Sequence, residues 1–404
     1  MPTPRPACLM RILATATAAA AVALLAPAAR AAPVQITSNT LGNTFGPSIS
    51  ADGQRIAFYS AANVTGGNPD NSFEIVVYDR STGGFTQVSN HAGGHLTGGA
   101  QSPSISADGE RVVFQRYATA GGFASFQTQM HDLRTGTTRS LTPLGQFFET
   151  SALSGDGRTA VIATDNTGLR VVDLPLGVPG PVIAGNTLSN ALSFDGRVLA
   201  SEGWGRLDVL DRDTGVWRSI APAGSGFNMG PDLSDDGRWL AYTASYDPLG
   251  LNTDRNSEVF LYDLQNNQVR QLTQSTGNSG SHQQVSISGD GTRLAFVSMA
   301  DLLGTNADGN QEIFVYDLVD DVLRQITETT GFGNYSLQPV LDRDGSTLAF
   351  VSAANLTGGN ARGVPQLFLM DLAPQNGGGS VPLPGTLPLV ALAGAALALR
   401  RRRG

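Results

Sequence analysis

Three segments of this chain set oxygen-bearing side chains at alternate positions. They are Asn68, Asp70, Ser72 and Glu74; Asn252, Asp254, Asn256 and Glu258; and Asn306, Asp308, Asn310 and Glu312. In such a run the residues between point away, and the oxygens can converge on one hard cation. Ca²⁺ takes six to eight oxygens, with backbone carbonyls and water completing a shell of this kind. A fourth segment keeps the spacing but not the chemistry: Asn360, Arg362, Val364 and Gln366, where Arg362 would repel a cation. The same residues have a second reading, in which Asn and Asp make polar turns and Glu opens the next strand. Of the four histidines, His91, His95 and His282 fall in connections between repeat units, on the side of these segments. His91 and His95 have metal-like spacing only on a helix, which Gly93-Gly94 opposes, and His131 replaces the Tyr of a recurring Tyr-Asp pair, which points to a structural role. The chain has no Gly-x-Ser-x-Gly elbow, no phosphate loop and no cysteine nucleophile. Nothing here assigns a catalytic residue or a bound organic cofactor.

The elements that would position these residues repeat. Asp-Gly recurs at Asp52, Asp108, Asp156, Asp195, Asp236, Asp290 and Asp344, usually as Ser-x-Asp-Gly. Each Asp-Gly follows a short inner strand such as Pro47-Ser48-Ile49-Ser50 and precedes a second, such as Arg55-Ile56-Ala57-Phe58. A third strand ends in Asp (Ile75 to Asp79, Val259 to Asp263, Ile313 to Asp317), and a polar turn leads to a fourth. Asp79, Asp263 and Asp317 recur with the unit, which points to turn capping rather than catalysis. A unit of about 40–50 residues with four strands is the signature of a β-propeller.

The expected fold is therefore all-β, a seven-bladed propeller of four-stranded blades over residues 32–373. The last unit stops after its third strand, Leu367 to Asp371, while Val34-Gln35-Ile36-Thr37 at the front copies the fourth-strand pattern. This displaced strand is expected to complete the last blade and close the ring, removing a free sheet edge. Connections between second and third strands are long in units one, five, six and seven and short in units three and four. Ring closure makes the four long ones contiguous, on one face, and loops on a rigid scaffold are where function concentrates. The motif Ser-x-Asp-Gly-x-x-aliphatic-Ala-Phe, followed by aliphatic-Tyr-Asp-Leu, resembles the TolB-type, WD40-like propeller repeats of exported bacterial proteins. TolB carries an additional α/β domain that this chain lacks, so its transport role is not carried over.

Both termini read as addresses. Residues 1–31 have the form of a secretory signal: Arg5 and Arg11, an apolar run, and the small-residue site Ala29-Arg30-Ala31. The single cysteine, Cys8, lies inside it. A Gly-rich linker over residues 374–380 leads to residues 381–404, which run through Pro382, Pro384 and Gly385, a Leu/Ala-rich segment, and Arg400, Arg401, Arg402 and Arg403. That order resembles the PEP-CTERM sorting signal of Gram-negative bacteria, with Leu383 where the commonest form has Glu. The resemblance implies recognition by an exosortase-like processing enzyme. The apolar segment, about 20 Å long as a helix, falls short of a hydrocarbon core of about 30 Å, so flanking residues must help in transient membrane anchoring.

All 26 basic residues are arginine. Outside the two terminal segments 19 remain against 34 acidic residues, a formal charge of −15. Such a surface repels nucleic acid. The expectation is an exported, non-catalytic binding or scaffold propeller at the periplasm, cell envelope or surface, with a protein or polysaccharide ligand on its long-loop face. The alternatives are a propeller hydrolase or lyase with its site in the central channel, and a structural matrix protein.

Overall fold

In the computed structural model the described residues are 31–372, apart from 92, 94–97, 121–122, 146–148, 165–167, 185–186, 204, 222–227, 277–281 and 332, together with 390–391. They form strands only. Strand β1 (Val34–Gln35) precedes blade one, which is β2 (Thr44–Ile49), β3 (Arg55–Ser60), β4 (Glu74–Asp79) and β5 (Gly84–Gln87). Blade two is β6 (Gly98–Ile105), β7 (Arg111–Ala120), β8 (Phe123–Asp132) and β9 (Thr137–Ser140). Blade three is β10 (Glu149–Leu153), β11 (Thr159–Thr164), β12 (Gly168–Asp173) and β13 (Val178–Ala184). Blade four is β14 (Ser189–Leu192), β15 (Val198–Gly203), β16 (Arg206–Asp211) and β17 (Val216–Ala221). Blade five is β18 (Asn228–Leu233), β19 (Trp239–Ala244), β20 (Glu258–Asp263) and β21 (Gln268–Gln271). Blade six is β22 (His282–Ile287), β23 (Arg293–Ser298), β24 (Glu312–Asp317) and β25 (Val322–Gln325). Blade seven has three consecutive strands, β26 (Ser336–Leu341), β27 (Thr347–Ser352) and β28 (Gln366–Asp371).

The ring closes as the repeat pattern predicts. β1 pairs antiparallel with β28, Val34 opposite Leu369 and Gln35 opposite Phe368. The Arg80 guanidinium grips both oxygens of Asp371 at 2.8 and 2.6 Å, joining blades one and seven.

Six of the seven Asp-Gly turns are locked the same way, and in blade seven Asp342 takes the place of the serine. In blade one Ser50 Oγ donates to Asp52 Oδ1 at 2.6 Å, Asp52 Oδ1 accepts the Gln54 amide, and Ser50 Oγ accepts the Arg55 amide at 2.9 Å. Gly53 takes φ 67°, a conformation that favours glycine. The second and third strands supply the inter-blade cores. Phe58, Phe114, Phe296 and Phe350 are fully buried, and Phe296–Phe314 and Phe350–Phe368 stack. Asp79, Asp263 and Asp317 cap the turns that follow them, Asp317 Oδ1 accepting the Val319 and Asp320 amides at 3.1 and 3.0 Å.

No described helix is long and apolar enough to cross a membrane. Most of residues 381–404, with the Pro382, Pro384, Gly385 and Arg400–Arg403 features, lies outside the described residues, as do Ala29 and His95. Ala31 is described and exposed. Within the segment expected to be an apolar helix, Val390–Ala391 instead forms a two-residue strand, β29, against the outer edge of β21. A free outer strand edge offers unpaired backbone groups to any extended segment.

Candidate functional site on the long-loop face

The second-to-third-strand connections of blades one, five, six and seven, residues 61–73, 245–257, 299–311 and 353–365, each span 13 residues. They are neighbours in the ring: Gln338 of blade seven accepts the Gly46 amide of blade one, and Gln284 of blade six accepts the Gln338 amide. All four share one turn. The first Asn is buried, and its Nδ2 donates to the carbonyl four residues on: Asn68 to Ser72, Asn252 to Asn256, Asn306 to Asn310 and Asn360 to Val364, at 2.7–3.0 Å. The fourth residue of each turn has positive φ: Asn71, Arg255, Gly309 and Gly363.

The motif glutamates end as buried carboxylates, tied to the connection that leads into the next blade. Glu258 accepts Thr273 Oγ1, the Ser275 amide at 2.7 Å and Ser275 Oγ at 2.8 Å. Glu312 accepts the equivalent groups of Thr327 and Thr329. Glu74 accepts Ser89 Oγ and the His91 amide. In blade seven Gln366 does the same work, its Oε1 accepting Thr37 Oγ1 at 2.6 Å and the Asn39 amide at 3.2 Å. The turn-and-strand reading therefore holds for the glutamates, and their oxygens help fix the blade junctions.

Two histidines join these carboxylates. His91 Nδ1 lies 3.3 Å from Glu74 Oε2, and the buried His282 Nε2 lies 3.3 Å from Glu258 Oε2. Burial pushes the Glu258 carboxyl up, but His282, Thr273 and the Ser275 amide outweigh it and hold its pKa below the ordinary value. Glu312 has no such histidine among the causes of its shift, and burial leaves its pKa raised despite Thr327 and Thr329. His131, bonded to Thr138 Oγ1 at 2.8 Å, has a pKa lowered by burial.

The cation-type oxygens converge in blade one. Ser72 Oγ lies 3.1 Å from Asn68 Oδ1, 3.0 Å from Asp70 Oδ1 and 2.9 Å from Glu74 Oε1. The outer oxygen of Asp70 accepts the Gly93 amide at 2.9 Å, and that bond leads in holding its pKa below the ordinary range. Asp308 Oδ2 likewise accepts the Gly331 amide at 3.0 Å. In blades five and six, Asn252 Oδ1, Asn306 Oδ1 and Asn310 Oδ1 are buried and accept no hydrogen bond from the protein. Among the described residues no three His, Cys, Asp or Glu side chains gather in metal-binding geometry. The blade-one cluster has two carboxylates, with amide and hydroxyl oxygens making up the rest.

The opposite face carries the Asp-Gly turns and the mouth of the central channel, where a cavity of about 230 Å³ is lined by the inner strands. A ring of backbone hydrogen bonds runs through the x positions of Ser-x-Asp-Gly. Ala51 donates to Ala107, Ala107 to Gly155, Asp156 to Phe194, Phe194 to Asp235, Asp235 to Gly289, Asp290 to Arg343 and Arg343 back to Ala51, at 2.8–3.2 Å. Arg343 pairs with Asp235 at 2.8 Å and stacks over Phe194 at 5.0 Å. Three acids border this mouth. Asp232 accepts the Ile287 and Leu233 amides and its pKa is raised to about 6, chiefly by burial. Burial also raises Asp235 and Asp342, the latter bonded to the Thr347 amide. The sequence reading missed these acids. Asp232 stands where Ser48, Ser104 and Ser286 accept the next blade's amide, and Asp342 replaces the serine of the turn.

No protein-family model matches the chain, and no curated protein matches it. Solved structures do. The oligogalacturonate lyase of Vibrio parahaemolyticus is similar over 83% of this chain and 92% of its own, with 13% identity and a TM-score of 0.56. The Swd1 β-propeller domain of Myceliophteria thermophila is similar over 83% and 99%, with 16% identity and a TM-score of 0.55. The β-propeller domain of the Trilobed protease from Pyrococcus furiosus, described as having an open velcro topology, covers 87% and 98% at 13% identity and a TM-score of 0.54. Likeness at these identities establishes the fold alone: this chain is a seven-bladed β-propeller, of an architecture shared by enzymes and by non-enzymatic propellers.

Proposed function

We propose that the protein is an exported binding or scaffold propeller that meets a protein or polysaccharide partner through the face carrying the four 13-residue loops. The observation that carries this reading is the asymmetry of the disc. Four neighbouring blades project matched loops on one face, whereas the channel mouth on the other is bordered by acids already committed to structure. Asp232 and Asp342 bond backbone amides, and Asp235 pairs with Arg343. TolB-type repeats and a PEP-CTERM-like tail belong to the same reading. Residues 1–31 direct export, and an exosortase-like enzyme cuts near Pro382–Thr386 after the apolar segment has held the chain briefly in the membrane. Capture of one secreted protein or surface polysaccharide, lost when Asp70, Asp254 and Asp308 are replaced by arginine, tests the binding face. Mass spectrometry of the protein from its host tests the tail: a C-terminus near residue 385 supports processing, and intact Arg400–Arg403 in surface material refutes it.

The lyase reading has one observation in its favour, the raised acids at the channel mouth. Its test is direct. Incubation with oligogalacturonate, with and without a divalent metal, generates unsaturated uronides if the channel is catalytic. No product across acidic and alkaline buffers leaves the binding reading standing.

A further inference from the structure

Independently of any partner, we propose that the long loop of blade one, and its copies in blades five and six, each bind one hard divalent cation of the calcium class. A serine hydroxyl has one proton to donate. Ser72 Oγ stands within 3.1 Å of three acceptor oxygens, those of Asn68, Asp70 and Glu74. One proton serves one of them; Asp70 Oδ1 and Glu74 Oε1 also accept the Ser72 and His91 amides at 3.3 and 2.6 Å, and two of the Ser72 Oγ contacts still bring oxygen lone pairs together with no proton between. Asn68, Ser72 and Glu74 are nearly or fully buried, so bulk water does not relieve them. A cation does. Two oxygens each about 2.4 Å from Ca²⁺ and adjacent in a pentagonal ring are about 2.8 Å apart, close to the spacings seen here. Asp70 and Glu74 supply two negative charges, the amide and hydroxyl two neutral oxygens, and water from the exposed Asp70 side can complete the shell. Ligands at first, third and fifth positions of a tight turn are also how an EF-hand loop begins.

Blades five and six give an independent observation. Asn252 and Asn306 are 2% exposed and hold the pose of Asn68, with Nδ2 on the carbonyl four residues ahead. Their Oδ1 atoms, which correspond to the Asn68 oxygen in the blade-one cluster, accept no hydrogen bond from the protein. A buried amide oxygen left so destabilises the fold unless a ligand takes its lone pairs. Blade seven is the internal control. There the carboxylates are gone, replaced by Arg362 and Gln366, and Asn360 Oδ1 accepts the Val364 amide at 3.2 Å. In blades five and six, where the motif is kept, the oxygen is left for a ligand; in blade seven, where it is lost, the protein satisfies it.

The test uses the full chain freed of metal with EDTA, calorimetric titration with CaCl₂ or MgCl₂, and melting in each. Calcium should bind with up to three sites at dissociation constants of about 10⁻⁵–10⁻³ M and raise the melting temperature by about 5 °C at tenfold excess, with magnesium far weaker. Asp70→Asn, at an exposed position, should weaken one site at least tenfold and leave the circular dichroism in EDTA unchanged. Asp254→Asn with Asp308→Asn should remove the other two. Binding confined to one site abolished by Asp70→Asn supports blade one and overturns the copies. No heat and no melting shift in about 10 mM calcium, or a triple variant that responds like the parent, overturns the proposal.

Discussion

Asp232 shows how one residue converts a repeated structural task into a pH dependence. In blades one, two and six a serine hydroxyl accepts the amide of the next inner strand; in blade five a carboxylate does it. Burial against the channel wall raises its pKa to about 6, from an ordinary value of 3.8. Because the folded value lies above the unfolded one, the stability this group contributes is fully present below about pH 4 and is lost as pH rises through about 6. Asp232 still touches the channel space, so the effect is about 1–3 kcal/mol, at or below the full linkage of two pKa units. Asp232→Ser should flatten the fall in stability between pH 4 and 7 and be the more stable form at pH 8, read by urea unfolding at both ends. Equal slopes for variant and parent would show that Asp232 does not titrate in this window. Glu258 runs the other way. Its lowered pKa means that its contribution is present above the unfolded value near 4.5 and lost as pH falls below it. A second prediction concerns Arg255, which takes φ 56° where blades six and seven use glycine. Arg255→Gly should be neutral or stabilising, by at most about 1 kcal/mol, because a non-glycine residue there carries left-handed strain.

At the scale of the element, β1 is held by more than its two paired residues. Thr37 Oγ1 accepts the Leu367 amide at 2.9 Å and donates to Gln366 Oε1 at 2.6 Å, both buried. Thr37→Val keeps the shape, leaves the buried Leu367 amide unmatched and leaves Gln366 Oε1 with the Asn39 amide alone, so it should cost about 1–3 kcal/mol in chemical unfolding. The Asp-Gly turns, the strands around them and the displaced β1 were legible because turn chemistry and alternation are local. The irregularity of the inner strands was not. β2, β6, β18, β22 and β26 each carry a register shift, with Gly46, Ser102, Gly230, Gln284 and Gln338 at positive φ. A signal was present, since four of those residues precede proline, which sits inside strands only at edges or bulges. In the candidate site the alternate spacing was legible and the fate of the glutamates was not. Their partners, such as Ser275 and Thr329, lie 17 residues further along, across the outer strand. The ring of x residues was equally hidden, because six of its bonds join positions about 40–55 residues apart in different blades and the seventh, Arg343 to Ala51, joins the two ends of the array.

The whole molecule depends on one seam. The chain runs unbroken from each blade into the next, including from β1 in blade seven into β2 of blade one, so the ring is closed noncovalently inside blade seven, by β1 on β28, while Arg80 on Asp371, Gln338 on Gly46 and Arg343 on Ala51 brace blade seven against blade one. Of these, β1 alone also covers a sheet edge. Removing residues 32–39 deletes that strand and the Thr37–Gln366 staple, exposes the outer edge of β28, and leaves the seam to surface contacts. The loss should therefore far exceed that of Thr37→Val, with a melting temperature lower by about 7 °C or more, what about 5 kcal/mol or more implies for a domain of this size, and with aggregation through the bared edge. Calorimetry of the truncated and full chains decides it. A truncated protein that melts like the parent would mean that the seam is held by the inner-strand ring alone, and that β1 serves to guard the edge rather than to close the disc.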